Sequence, residues 1–258
     1  MRCALISDIH ANLPALEAVL DDIAAHAAVD ATYHLGDLVG YGPWPNEATA
    51  LIRDRGIPGV AGNYDSTVAT GYPHCGCRSQ GPAEEAQAHE SYAWTRAHVT
   101  PETKQCLGAL PFRLDLRPEG GHLSGGRTIF LFHATPTLST VYWTEDRPDD
   151  FAAKMAGLVG AKAGDVLAFG HTHRPWQREL AGIHFVNAGS VGRPKDGDWR
   201  AGYVVLEAGE AGVGGVEFRR VEYDVARADA AIRGSGLPEA LADHLRSGGA
   251  PTPPAEPA

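Results

Sequence analysis

Hydrophobic and polar positions change period several times along this chain. CALIS (residues 3–7) is a short continuous apolar run, the pattern of a buried strand. In NLPALEAVLDDIAAHA (12–27), Leu13, Leu16, Leu20, Ile23 and Ala27 recur on one helical face, with Asn12 as a natural N-cap and Pro14 in the first turn. DATYHLG (30–36) predicts a second strand, PNEATALIRDRG (45–56) a short helix ending at Gly56, and IPGVAG (57–62) a third strand. Strands alternating with helices indicate parallel crossovers and an α/β class.

Residues 66–82 read as an irregular insertion. AEEAQAHESYAWTRAHV (83–99) is helical, and TPETKQCL (100–107) opens another helix with Thr100 as cap and Pro101 in the first position. From about residue 111 the pattern turns to strands: FRLDL, TIFLFH, DVLAFGH, IHFVNAG, GYVVLE and GVEFRRVEY, with one helix near 148–160. Glycine-rich turns at EGGHLSGG (119–126) and GEAGVGG (209–215) look like hairpin links. VARADAAIRGSG and LPEALADHLRSG are short helices, and the Pro/Ala/Gly-rich tail has no periodicity. With no internal repeat, the expected organisation is one domain over 1–246 and a disordered tail over 247–258.

Metal-ligand residue types recur just after the predicted strands. Asp8 and His10 follow CALIS, Asp37 follows YHLG, Asn63 and Asp65 follow GVAG, His133 ends TIFLF, and His171 and His173 end DVLAFG. The carboxyl ends of parallel strands form a ligand-binding rim, so distant segments can converge there. Asp8/His10 and His171/His173 are i,i+2 pairs, which extended backbone would project to one side. Gly36, Gly62 and Gly170 would let the chain turn beside them. Mixed imidazole and carboxylate ligands suit Mn, Fe, Zn or Ni rather than Ca or Mg. Even without Asp65, the seven remaining groups exceed one tetrahedral ion, and a shared carboxylate can bridge two ions about 3.5–4 Å apart.

A net charge of −10 argues against a long nucleic acid or an anionic membrane surface as partner, but leaves room for a small phosphorylated substrate at bound cations. MRCALISDIH is too short in apolar residues for a signal peptide, and no run of about 18 apolar residues exists to span a membrane. Cys3, Cys75, Cys77 and Cys106 are therefore expected as free thiols in a cytoplasmic protein rather than as a disulfide framework.

The ordered motifs DIH (8–10), GDLVG (36–40), GNYD (62–65), FHATP (132–136) and GHTH (170–173) resemble the calcineurin-like metallophosphoesterases, over residues 1 to about 246. SDIHANLPALEAVL, GDLVGYGPWPNE and NAGSVGRPKDGD look like the small bacterial branch of that family. The resemblance implies a four-layer αββα sandwich of two mixed sheets flanked by helices, with a two-metal centre, Mn foremost. It places Asp8, His10 and His173 on the first ion, Asp37 as bridge, and Asn63, His133 and His171 on the second. A hydroxide bridging the ions would attack a phosphomonoester or phosphodiester in line. The substrate would be a small phosphoester, a nucleotide or a phosphoprotein. The rival reading is a non-hydrolytic scaffold, which a retromer subunit of this fold resembles.

The family usually has histidine at position 64, where this chain has Tyr64. Three readings stand: Tyr64 donates a proton or hydrogen bond to the substrate, it forms an aromatic wall, or catalysis is lost. Asp65 could orient Tyr64, bind a group one step out from the metal, or end the strand. Arg193 and Lys195, in GSVGRPKDGD (189–198), could contact phosphate, or form a solvated turn balanced by Asp196 and Asp198. HCGC (74–77) offers a redox-active thiol pair, an incomplete soft-metal site or an incidental surface loop, and His26, His34 and His184 need no special role.

Overall fold

The computed structural model describes residues 1–76, 81–117, 127–209 and 212–250. CALIS forms β1 (Arg2–Ile6), and its period of two sorts its side chains: Cys3 and Leu5 join one apolar cluster, Ala4 and Ile6 another. β1 pairs in parallel with β2 (Ala31–His34) and antiparallel with β8 (Ala201–Gly209), and β8 pairs antiparallel with β9 (Gly212–Val221). The second sheet has the order β3 (Arg113–Leu116), β4 (Ile129–Phe132), β5 (Val166–Phe169), β7 (Ile183–Asn187), β6 (Trp176–Leu180). There β4, β5 and β7 run parallel and the two edge strands antiparallel, so both sheets are mixed.

The alternation also explains the layers. Cys3, Leu5, Val204 and Leu206 of the first sheet pack with Ile129, Leu131, Val166, Ala168 and Val186 of the second, which makes the inter-sheet core. The intervening residues Phe130, Phe132, Leu167 and Phe169 face outward beneath α6 (Asp149–Val159), with Trp143 stacked on Phe169 at 4.4 Å. The outer face of the first sheet is covered by α1 (Leu13–Asp22), α2 (Pro45–Asp54), α7 (Val225–Ser235) and α8 (Ala240–Ser247). The result is the expected αββα order. Fully burying one such side chain contributes about 1.5–3 kcal/mol, against about 0–1 for a surface ion pair, so the three apolar clusters hold the layers together.

Several local expectations are corrected. IPGVAG is not a strand: Gly59 makes only an isolated parallel bridge to His34. Pro58 has no N–H to donate, and a side chain at Gly59 would strike the His34 ring, so a regular ladder cannot extend there. The stretch expected to be irregular from residue 66 begins inside a helix, α3 (Asn63–Thr70), which ends at Gly71 in the left-handed region. α4 (Pro82–His98) and α5 (Pro101–Gly108) follow as expected, Thr100 capping the latter. β6 was not anticipated; WQREL alternates, but its outward positions are charged or polar, as suits an edge strand. EGGHLSGG, the turn at 210–211, Cys77 and the tail from 251 lie outside the described residues, while Ser247 closes α8. Cys3 and Cys106 are free thiols as expected, whereas Cys75 is disulfide-bonded. Among the described residues no helix is long and apolar enough to cross a membrane.

His34 acquires a consequence from its position. It is fully buried, neither ring nitrogen has a hydrogen-bond partner, and burial pushes its pKa down to about 4. A histidine held neutral in the fold contributes stability that is present above its unfolded pKa of about 6.5 and lost as pH falls toward 4. Melting temperature is therefore expected to fall between pH 6.5 and 4, and His34→Leu should flatten that fall. An identical pH profile in the variant would refute this.

Candidate metal centre

The centre is built where β1 and β2 of one sheet and β4 and β5 of the other end side by side. Asp8 and His10 follow β1, Asp37 follows β2, His133 follows β4, and His171 and His173 follow β5; Asn63 opens α3. Two sheets therefore share the rim, where a single open sheet would have supplied it alone. The i,i+2 pairs are not extended as expected. Asp8, His10, Asp37, His171 and His173 all have positive φ, from 49 to 67°. Left-handed backbone costs a non-glycine residue roughly 1–2 kcal/mol, and five such residues cluster at one site. Interlocking backbone bonds hold them there, from Asp8 N to Gly36 O and from His10 N to Asp37 O, each 3.0 Å. Gly62 and Gly170 serve by close approach: an added Cβ would meet the Asp37 carboxylate at the first, and Ser7 and the Asp8 carboxylate at the second.

Two buried groups result, Asp8–His10–His173 and Asp37–His133–His171. In the first, His10 Nδ1 donates to Val39 O at 3.0 Å and His173 Nδ1 to Arg193 O at 2.6 Å. Both Nε2 atoms are thereby left as bare acceptors, yet they face each other at 3.1 Å. Asp8 Oδ1, 3.2 Å from His173 Nε2, has no hydrogen-bond partner, because Ser7 Oγ and His171 N both donate to Oδ2. Three converging lone pairs repel unless a cation lies among them, so the donor set fits a metal ion.

The second group repeats the logic. His133 Nδ1 donates to Leu35 O at 2.8 Å, turning Nε2 toward His171 Nδ1 at 3.2 Å and the Asn63 side-chain oxygen at 3.1 Å. Asp37 joins the two groups. Its Oδ1 accepts from Tyr64 N at 2.9 Å, and its Oδ2 lies 3.8 Å from His10 Nε2 and 3.4 Å from His133 Nε2.

Burial pushes His10 and His171 down to about 3 and His173 well below its ordinary value, which keeps all three in the neutral form that ligates metals. His133 differs: burial lowers it, but the Asp37 carboxylate outweighs burial and drives it up to about 10.

Asp65 and Tyr64 occupy different surroundings. The Asp65 carboxylate accepts from the backbone N–H groups of Asp37 (2.8 Å), Leu38 (2.9 Å) and Gly62 (2.9 Å), so it pins the Asp37 loop to α3. Tyr64 is 1% exposed, its ring 5.6 Å from the His10 ring, 5.1 Å from Tyr41 and 5.6 Å from Tyr92. A side chain at Gly40 would strike that ring. Burial and the Tyr41 phenol push the Tyr64 hydroxyl well above its ordinary pKa.

The pattern of motifs did not single out the supports behind the ligands. Ser190 Oγ donates to Asp8 O at 2.7 Å, and Asn187 Nδ2 donates to Gly170 O at 2.8 Å and Thr172 Oγ1 at 3.0 Å. Tyr142, whose ring is 4.6 Å from that of His171, was also missed. Their signal is only that they follow strands or lie in loops, which many polar residues do.

The calcineurin-like phosphoesterase superfamily domain matches residues 1–211. The chain belongs to that superfamily. An uncharacterized protein of Methanocaldococcus jannaschii is 32% identical over 94% of this chain and 96% of its own length. A metallophosphoesterase from Sphaerobacter thermophilus, known from its crystal structure, is 33% identical with a TM-score of 0.71, covering 96% of this chain and 100% of that one. A hypothetical protein from Pyrococcus horikoshii has the same fold, with a TM-score of 0.79 at 23% identity over 96% of this chain and 98% of that one.

Proposed function

We propose that this chain is a dinuclear metal-dependent phosphoesterase. The observation that carries the reading is Asp37 Oδ2, which faces His10 and His133 at once and so stands between the two ligand groups. Asp8, His10 and His173 would hold one divalent cation and Asn63, His133 and His171 the other, with the Asp37 carboxylate placed between the two groups. Mixed nitrogen and oxygen ligands suit Mn, Fe, Zn or Ni, of which Mn is the ion proposed here. When bound, such ions lower the pKa of water toward neutrality and neutralise charge on phosphoryl oxygens.

The chain's own groups set the rest. The left-handed turns and the Asp65 clamp hold the ligands in place before substrate arrives. Tyr64 takes the position of the family's usual histidine, and its burial against Tyr41 and Tyr92 supports the aromatic-wall role over that of a proton donor. The substrate class is a phosphomonoester or phosphodiester on a small molecule, a nucleotide or a protein.

Hydrolysis of nitrophenyl phosphate and bis-nitrophenyl phosphate by Mn-loaded protein tests this. Metal-dependent turnover is expected, and none on either substrate with two ions bound would contradict it. Tyr64→His is expected to raise rates on poor leaving groups by about 10²-fold, the lower end of general-acid help, and to change nitrophenyl esters little. An equal or lower rate across a leaving-group series would show that position 64 has no such part.

A further inference from the structure

Arg193 follows β7 on the GSVGRPKDGD loop, with its backbone oxygen tied to His173 Nδ1. Its side chain is 3% exposed. The guanidinium carbon lies 4.1 Å from the centre of the Tyr41 ring, which is itself 4.9 Å from the His10 ring. Nε and Nη1 are buried and make no hydrogen bond. Among the described residues no carboxylate lies within ion-pair distance of Arg193. The other charges on its loop are matched, Lys195 with Glu84 at 3.0 Å, Asp198 with Arg200 at 2.7 Å, and Asp196 with Arg220. The loop is therefore not a turn balanced by its own aspartates; they pair elsewhere and leave Arg193 open.

A desolvated guanidinium with idle donors is costly, and it persists where an anion from outside completes it. With His10, Asn12 and Tyr41, Arg193 lines a narrow pocket that reaches the metal-ligand cluster at His10 and is closed on its other side by apolar residues such as Trp44, Ile232 and Leu241. Tyr41 holds the guanidinium by a cation–π contact, which commits none of its N–H groups.

We propose that Arg193 receives a phosphoryl oxygen of the substrate and so favours phosphomonoesters over phosphodiesters; this rests on the phosphoesterase reading above. A monoester carries close to two negative charges near neutral pH, its second pKa being about 6, whereas a diester carries one. A monoester also has three non-bridging oxygens, one more than two cations engage singly, and a planar guanidinium fork matches that third oxygen. A diester has none to spare.

The test compares full-length wild type, Arg193→Gln and Arg193→Lys, all Mn-loaded, on nitrophenyl phosphate and bis-nitrophenyl phosphate. Melting temperature is measured in parallel, alone and with inorganic phosphate or dimethyl phosphate. In Arg193→Gln, kcat/KM for the monoester should fall about 10²-fold, as for loss of a charged hydrogen bond, while the diester rate holds. Arg193→Lys should recover part of the loss. Phosphate should raise the wild-type melting temperature, dimethyl phosphate should not, and the phosphate shift should vanish in Arg193→Gln. Without ligand, Arg193→Gln should melt no lower than wild type, since an unpaired buried charge has gone; a lower value would mark a structural arginine and count against the role. Equal losses on both substrates, or a phosphate shift that survives Arg193→Gln, would overturn the inference while leaving the phosphoesterase reading intact. Failure of wild type to turn over either ester would overturn that reading instead, and the phosphate shift would still decide whether Arg193 binds the anion.

Discussion

Asp37→Asn is expected to lower metal-dependent phosphoester hydrolysis by at least about 10³-fold while leaving the protein folded. The carboxylate makes two kinds of contact. Oδ1 holds the Tyr64 backbone N–H, a role an amide oxygen keeps. Oδ2 faces His10 and His133, and there an amide puts NH₂ in place of a ligand oxygen. An NH₂ group offers no lone pair to a cation, so the substitution takes a ligand oxygen from between the two groups. Removing the negative charge also removes what raises His133 to about 10. Metal-free, the variant should melt no lower than metal-free wild type. Turnover and bound metal should both fall, measured as kcat/KM with Mn and as metal content after gel filtration. Retention of a tenth or more of wild-type turnover would remove Asp37 from the centre.

Asp65→Ala should act through stability. One fully buried carboxylate satisfies three backbone N–H groups, two of them in the Asp37 loop. A buried donor left unpaired costs about 1–3 kcal/mol, and water entering the space vacated by the side chain would recover part of it, so a loss of about 4 kcal/mol is expected. Against a total stability of about 5–15 kcal/mol that is a large share, and it corresponds to a fall of roughly 10 °C in melting temperature. Metal affinity should drop about 10–100-fold as the Asp37 loop loosens. Asp65→Asn should fall between, since its single oxygen cannot serve three donors. A loss below about 1 kcal/mol in chemical denaturation would show that the clamp is not needed.

The candidate ligands were legible because all but Asn63, which opens α3, follow a strand end in a short string of chemically distinctive residues, and because the strands themselves announce their period. CALIS and TIFLFH need only alternate to place one face in the inter-sheet core and the other beneath helices. Other features depend on contacts that spacing does not encode. Nothing in DIH or GHTH says that its residues take left-handed backbone, which is imposed by bonds from the neighbouring loops. Asp65 reads as a motif member beside Tyr64, but its partners lie as far as 28 positions away. Arg193 reads as one charge among several in a polar turn, and only the fold shows that it is buried while its neighbours pair elsewhere. The strand expected at IPGVAG failed because Pro58 and the close packing of Gly59 on His34 outweigh its apolar content.

The most direct measurement is a crystal of the full chain grown with Mn, with an anomalous difference map. Two peaks are expected, one among Asp8, His10 and His173, the other among Asn63, His133 and His171, with Asp37 between them. A single peak, or peaks away from these residues, would contradict a dinuclear centre at this site.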